Sequence, residues 1–277
     1  MSHDIDLYDL LRKFWTLKEI PLNTKPHLSS EEQKCEDYFI TTHLRDEQGR
    51  YIVKLPFKKS VDLLGDSHPK ASKLLAKMIY RLNQNKEYSQ AYSAFISEYE
   101  KLQHMQLVDE DLALSLYTYY LPHHGVWKEQ SLTTKLRVVF NESSPTTTGY
   151  SLNDILHTGL KLQNDLFDVL IWFRLFHYVF STDVEKMFRQ IKVHSEHWPF
   201  QRILWKDDKM RTYELTTVTY GLACAPYLSL RVFLQLIRDE GKKYPLAVPV
   251  LEKGRYVDDI FGGADTIEQE QEKLLSN

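Results

Sequence analysis

Cysteine is nearly absent. Cys35 and Cys224 are the only two in 277 residues, and neither has a second thiol at a ligand spacing, so neither a disulfide scaffold nor a cysteine-based zinc site is indicated. An excess of one charge is also missing. Lys and Arg number 35 against 38 Asp and Glu, a net charge of −3, which argues against indiscriminate binding to polyanions; any such contact needs a local basic track. No apolar run is long enough to span a bilayer, and no signal-peptide pattern is present. A cytoplasmic location without a membrane partner is therefore expected. The densest apolar stretch, 169–180, carries Arg174 and His177 and reads as a buried helix followed by a buried strand. The Asp-Thr/Ser-Gly triplet of aspartic peptidases is absent. Asp265-Thr266-Ile267 and Asp66-Ser67-His68 lack the glycine that permits the tight active-site turn. Internal repeats and low-complexity linkers are absent too.

What remains is an ordinary globular composition. Hydrophobic residues make up 43% of the chain, enough for a core, and the length fits one large or two smaller domains. Leu7, Leu10, Leu11 and Phe14 predict an amphipathic helix within 1–20, and Leu28-Ser29-Ser30-Glu31-Glu32-Gln33 resembles a capped helix start. Residues 51–56 read as a strand, and 69–83 and 87–104 as a helical hairpin. A glycine-containing turn, Tyr220-Gly221-Leu222-Ala223-Cys224, feeds a helix beginning near Pro226. Cys224 reads as a small packed side chain in that turn.

The most informative stretch is Arg255-Tyr256-Val257-Asp258-Asp259-Ile260-Phe261-Gly262-Gly263. It predicts a tight hairpin with two carboxylates at its tip. Adjacent strand residues face opposite ways, so both Asp side chains serve one site only if the backbone turns between them. Gly262-Gly263 suggests irregular backbone nearby. Close carboxylates repel unless a cation compensates, and Mg²⁺ favours carboxylate oxygens. Asp207-Asp208 is an internal control: flanked by Lys206 and Lys209, it reads as a solvated hairpin turn. A third carboxylate, Asp183, ends the apolar run Tyr178-Val179-Phe180, where a strand gives way to an amphipathic segment carrying Met187, Phe188 and Ile191 on one side. Taken alone, Asp183 fits a helix N-cap at least as well as a metal ligand.

The order strand–Asp183, Gly221-x-x-x-Ala225-Pro226–helix, then Tyr256-x-Asp258-Asp259 hairpin resembles motifs A, B and C of the reverse-transcriptase palm. With Tyr120 to Lys128, Thr133 to Phe140, Ser151-Leu152-Asn153-Asp154, Lys161 to Phe167 and Gln201 to Trp205, nearly the whole chain is similar to the polymerase region of BEL/Pao-type LTR retrotransposon polyproteins. The resemblance implies an α+β right-hand polymerase: a mostly helical N-terminal linker and support region over 1–115, then fingers and a partial palm over 116–277, with thumb, connection and RNase H expected to be absent.

The resemblance also implies roles. Asp183 and Asp258 match the principal ligands of two Mg²⁺ ions, for which Mn²⁺ can substitute, and Asp259 matches the third active-site carboxylate. Phe188 matches the aromatic under the incoming sugar, Lys135 and Arg137 the basic residues near the triphosphate, and Tyr220 and Gly221 the start of the motif around nucleotide and template. Asn141 departs from the pattern, which more often has Asp there. The implied reaction is RNA-directed DNA synthesis. The primer 3′-hydroxyl attacks the α-phosphorus and pyrophosphate leaves, a reaction governed by positioning and charge compensation. Implied partners are an RNA or DNA template with primer, dNTPs and other polyprotein segments, in the cytoplasm or a virus-like particle. Basic residues from Lys128 to Arg211 are candidates for the nucleic-acid track, about half of them expected to be plain solvated surface. His123-His124 reads as a structural or template-facing loop. The competing reading is a truncated or domesticated remnant that binds nucleic acid without extending primers.

Overall fold

The computed structural model describes residues 28–109, 115–131 and 135–266. The helix expected within 1–20 lies outside them. The first described helix, α1 (Ser30–Thr42), starts at a full capping box: the Ser29 hydroxyl accepts from Glu32 N–H at 3.2 Å while the Glu32 carboxylate accepts from Ser29 N–H at 2.9 Å. Such a cap contributes on the order of 1 kcal/mol. Two short strands follow, β1 (Leu44–Arg45) and β2 (Tyr51–Val53). The helical hairpin then appears as α2 (His68–Gln84), with Pro69 in its first turn, and α3 (Lys86–Lys101), capped by the Asn85 side chain. Helix α2 buries Ala71, Leu75, Met78 and Leu82, and α3 buries Tyr88, Tyr92, Ile96 and Tyr99. Both series step by three or four residues, one stripe per helix.

The remaining elements are β3 (Met105–Leu107), β4 (His123–Trp127), β5 (Leu136–Phe140), α4 (Leu152–Ile155), α5 (Leu166–Phe173), β6 (Tyr178–Asp183), β7 (Lys192–Val193), β8 (Arg202–Lys206), β9 (Met210–Leu215), α6 (Ala225–Glu240), α7 (Ala247–Lys253), β10 (Arg255–Tyr256) and β11 (Asp259–Ala264). Short 3₁₀ turns occupy Val61–Leu63, Met187–Gln190 and Ser195–Gln201. The strands form small sheets: β1-β2-β7, in which β2 and β7 run parallel, the antiparallel sheets β10-β11-β6 and β3-β9-β8, and the ribbon β4-β5. The fold is thus mixed α+β. A large core runs from α1 through α2, α3 and β8 to α6, around Leu55, Tyr92, Tyr119, Leu121, Ile155 and Ile203. A smaller one, Phe180, Phe233, Ile237, Val250 and Ile260, lies between sheet β10-β11-β6 and helices α6 and α7. Among the described residues no helix is long and apolar enough to cross a membrane.

Several local expectations are met. Helix α6 begins at Ala225 with Pro226 in its first turn, and Cys224 is fully buried before it. Asp207-Asp208 forms an exposed turn between β8 and β9, with Asp207 paired to Arg211 at 3.0 Å. Others are corrected. Gly262-Gly263 is regular β11 ladder, opposite Phe180 and Val179. Its glycines are small because a Cβ on either would meet Phe180 or Phe176. His123-His124 lies in strand β4. His123 is buried, bonded to the Tyr92 hydroxyl at 2.6 Å and the Leu204 carbonyl at 2.8 Å, whereas His124 is exposed. The 169–180 segment is not uniformly buried. Val169 is buried, but Leu170, Ile171, Tyr178 and Val179 are exposed, because α5 meets the sheet along one side only. The amphipathic segment after Asp183 is a single 3₁₀ turn that buries Met187 and half-buries Phe188.

Candidate active site

Sheet β10-β11-β6 has two unlike faces. Directly opposite residues of an antiparallel pair project to the same side. The pairs Ile260–Thr182, Gly262–Phe180 and Ala264–Tyr178 therefore share one face, and Asp259–Asp183, Phe261–Ser181 and Gly263–Val179 the other. Ile260 and Phe180 pack down toward α6 and α7, and Ala264 is buried. Asp183 and Asp259 stand on the opposite side, exposed, with Cα atoms facing each other at the roughly 4.5–5.5 Å of such a pair. Two residues distant in sequence thus present their carboxylates side by side.

Asp258 sits beside them by backbone geometry. Tyr256 pairs with Asp259, which leaves Val257 and Asp258 as the two residues of the hairpin turn. The Asp258 carbonyl accepts from Val184 N–H at 2.9 Å, tying the turn to the residue after Asp183. Val257 has φ +57°, a region that β-branched residues avoid and that costs about 1–3 kcal/mol. Behind the hairpin, the Arg255 guanidinium is buried over the Phe233 ring at 5.4 Å and reaches the Leu162 carbonyl at 3.4 Å. Burial holds its pKa below the usual arginine range. The Asn164 amide donates to the Arg255 and Glu252 carbonyls at 3.0 and 2.8 Å, so the segment before α5 anchors the hairpin. Among the described residues no trio of His, Cys, Asp or Glu side chains closes into a metal-holding group. The carboxylates converge on one sheet end without forming a tight cluster.

A second group adjoins the motif after β9. The Phe188 ring meets the Tyr220 ring edge-on at 5.0 Å, and the Arg137 guanidinium lies 5.7 Å from the Tyr220 ring centre. Strand β5, the 3₁₀ turn after Asp183 and the loop before α6 thus meet at one tyrosine. Gly221 follows with φ +95°, and a Cβ there would overlap the Glu142 carboxylate; glycine is required on both counts. Lys135 is not part of this group. It pairs with Glu87 of α3 at 2.8 Å, 6.0 Å from the Trp127 ring centre.

No known family profile matches the sequence, and no curated protein matches it. Among solved structures, the chain is similar to a foamy viral protease-reverse transcriptase in complex with an RNA/DNA hybrid, with a TM-score of 0.50 and 16% identity over 69% of this chain. The fold is reverse-transcriptase-like. The match covers 22% of the viral chain, and at that identity the likeness concerns the fold.

Within this reverse-transcriptase-like fold, sequence reasoning missed the residue that holds the Gly221 turn. The Asn153 side chain donates to the Gly221 carbonyl at 2.8 Å and accepts from Ala223 N–H at 2.8 Å. Asn153 belongs to the Ser151-Leu152-Asn153-Asp154 stretch, which carried only the family resemblance; its long-range partners have no sequence signature. Glu142 was missed as well. It is buried beneath Gly221, and burial pushes its carboxyl up to about 8. Several candidates for the basic track prove to be structural ion pairs: Arg202 with Glu214 at 3.0 Å, Lys192 with Asp46 at 2.7 Å and Lys186 with Glu98 at 3.3 Å.

Proposed function

We propose that this chain carries the catalytic centre of an RNA-directed DNA polymerase of the BEL/Pao retrotransposon kind, extending a primer with dNTPs on an RNA or DNA template. The observation that carries this reading is the direct pairing of Asp259 with Asp183, both exposed at the end of the sheet, with Asp258 in the adjoining turn. The motif order read from the sequence and the reverse-transcriptase-like fold support it, as does the RNA/DNA hybrid held by the foamy viral neighbour.

In this reading residues 1–115 support the fingers, and 116–277 form the fingers and part of the palm. The donor set suits Mg²⁺, a hard cation that prefers carboxylate oxygens. Asp183 and Asp258 would hold it, with Asp259 alongside. When bound, the two ions lower the pKa of the primer hydroxyl and balance charge on the departing pyrophosphate. The protein's own residues position the reactants. Exposed carboxylates at the end of a rigid sheet concentrate negative charge where cations are needed. Arg137 offers a planar donor fork to phosphate oxygens, with the Tyr220 ring as its backing. Phe188, fixed edge-on against Tyr220, supplies an apolar wall for the sugar. Lys135 would reach the triphosphate only on leaving Glu87. Tyr220 and Gly221 line the nucleotide, and Asn153 keeps their turn in place.

A homopolymer primer-extension assay with Mg²⁺ or Mn²⁺ tests the reading. Template-dependent extension is expected, and Asp183→Asn and Asp258→Asn should each abolish it. Extension that survives both substitutions would overturn the proposal.

A further inference from the structure

Helix α2 contains no acidic residue, yet it carries Lys70, Lys73, Lys77 and Arg81 at spacings of three and four. These share one face, away from the buried stripe Ala71, Leu75, Met78 and Leu82. Lys73, Lys77 and Arg81 are exposed, and Tyr80, on the flank of the same face, is 70% exposed. Among the described residues no carboxylate is ion-paired with Lys73, Lys77 or Arg81. Like charges at i,i+4 repel, and surface helices commonly interleave acids to relieve this. The arrangement gives up intrahelical stability, and a bound polyanion would relieve the repulsion.

The path continues beyond the helix. A cleft of about 290 Å³ lies between α2 and ribbon β4-β5, bordered by Lys77, Arg81, His124 and Asn141, with no acidic side chain in its lining. On the ribbon, His124 pairs with Val139 and Val126 with Arg137. His124 and Arg137 therefore project from the same exposed face as diagonal neighbours, about 7–8 Å apart in such a pair. Arg137 in turn stands over Tyr220. A line of Lys and Arg side chains, with His124 between them, thus runs from α2 across the ribbon to the candidate site, in a chain whose net charge is −3.

We infer that the exposed face of α2, continued by His124 and Arg137, is a track for single-stranded nucleic acid leading to the Asp183–Asp259 site. The Lys and Arg side chains meet phosphates, and Tyr80 offers a ring on which an unpaired base stacks, the pairing of features that single-strand grooves use. A duplex, whose base faces are already stacked, gains nothing from Tyr80. This inference rests on the reading that the chain handles a nucleic-acid strand, and it gives the N-terminal helices a binding role rather than a supporting one.

Fluorescence anisotropy with a labelled oligo-deoxythymidine and a blunt DNA duplex, titrated across salt, tests it. The triple variant Lys73→Gln, Lys77→Gln, Arg81→Gln should bind the single strand at least about tenfold more weakly and make the negative slope of log affinity against log salt shallower by about 2, given about 0.7 per phosphate contact. Lys77→Gln alone should make the slope shallower by about 0.7, which serves if the triple variant fails to fold. Tyr80→Ala should weaken single-strand binding at fixed salt, leaving the slope and duplex binding unchanged. Unchanged slopes in folded variants, with the wild type binding, overturn the track and spare the polymerase reading. Equal loss of duplex binding in Tyr80→Ala overturns the single-strand assignment. Absence of any binding by the wild type overturns both.

Discussion

Asp259 stands directly across from Asp183 in the antiparallel pair of β11 and β6, and both face solvent. The turn that carries Asp258 into the same neighbourhood passes through a valine at φ +57°.

That valine yields a stability prediction. Val257→Gly removes a backbone strain of about 1–3 kcal/mol against an entropic loss of about 0.5–1 kcal/mol. Its urea midpoint should rise, by the equivalent of about 1 kcal/mol, with an unchanged m-value. A lower midpoint would mean that the side chain's contacts outweigh the strain.

Gly221 and Glu142 should be energetically coupled. Gly221→Ala places a methyl group against the Glu142 carboxylate at a positive φ, and should destabilise by at least about 2 kcal/mol. Glu142→Ala removes the clash but not the left-handed penalty. The double variant should therefore be less destabilised than the sum of the singles, by about 1 kcal/mol or more. Strict additivity in chemical denaturation would refute the contact.

Glu142 also predicts a pH dependence. Its folded pKa is raised by burial from 4.5 to about 8, so the folded state holds a proton that the unfolded chain has lost. Stability from this group is complete below 4.5 and is lost as pH rises toward 8. Buried His104 and His123 and half-buried His197 are lowered to about 4 and act in the opposite sense, destabilising as pH falls below 6.5. Between pH 6.5 and 8 the carboxyl dominates. Wild-type urea midpoints should fall across that window, and those of Glu142→Gln should stay flatter; parallel profiles would contradict the assignment.

Phe188 is the test of sugar selection under the proposed activity. If its ring walls the sugar site, Phe188→Val should raise ribonucleotide use relative to deoxyribonucleotide use, exclusion by clash having been removed. An unchanged preference in a folded, active variant would reduce Phe188 to a packing partner of Tyr220.

Much of this was legible in the sequence because it is locally encoded. The Ser29–Glu32 box, Pro226 and the Asp258 turn each announce themselves within a few residues. The Asp207-Asp208 turn could be told from the Asp258-Asp259 turn by its charged neighbours alone. Long-range features were not legible. Nothing near Asn153 signals its bonds to Gly221 and Ala223, and nothing near Lys135 signals Glu87. Gly262-Gly263 was misread because close strand packing and irregular backbone both select glycine. Helix α5 was read as buried because hydrophobicity reports what a side chain prefers, whereas coverage depends on which neighbours the fold supplies.

The cross-strand pairing of Asp183 with Asp259 also bears on when such a site can exist. Neither carboxylate has its partner until the whole intervening chain has been synthesised, α6 has docked and β11 has closed against β6. The site is therefore an all-or-none product of folding. A nascent or partly unfolded chain would have no residual chemistry, and any activity lost on mild heating should track the opening of this one sheet.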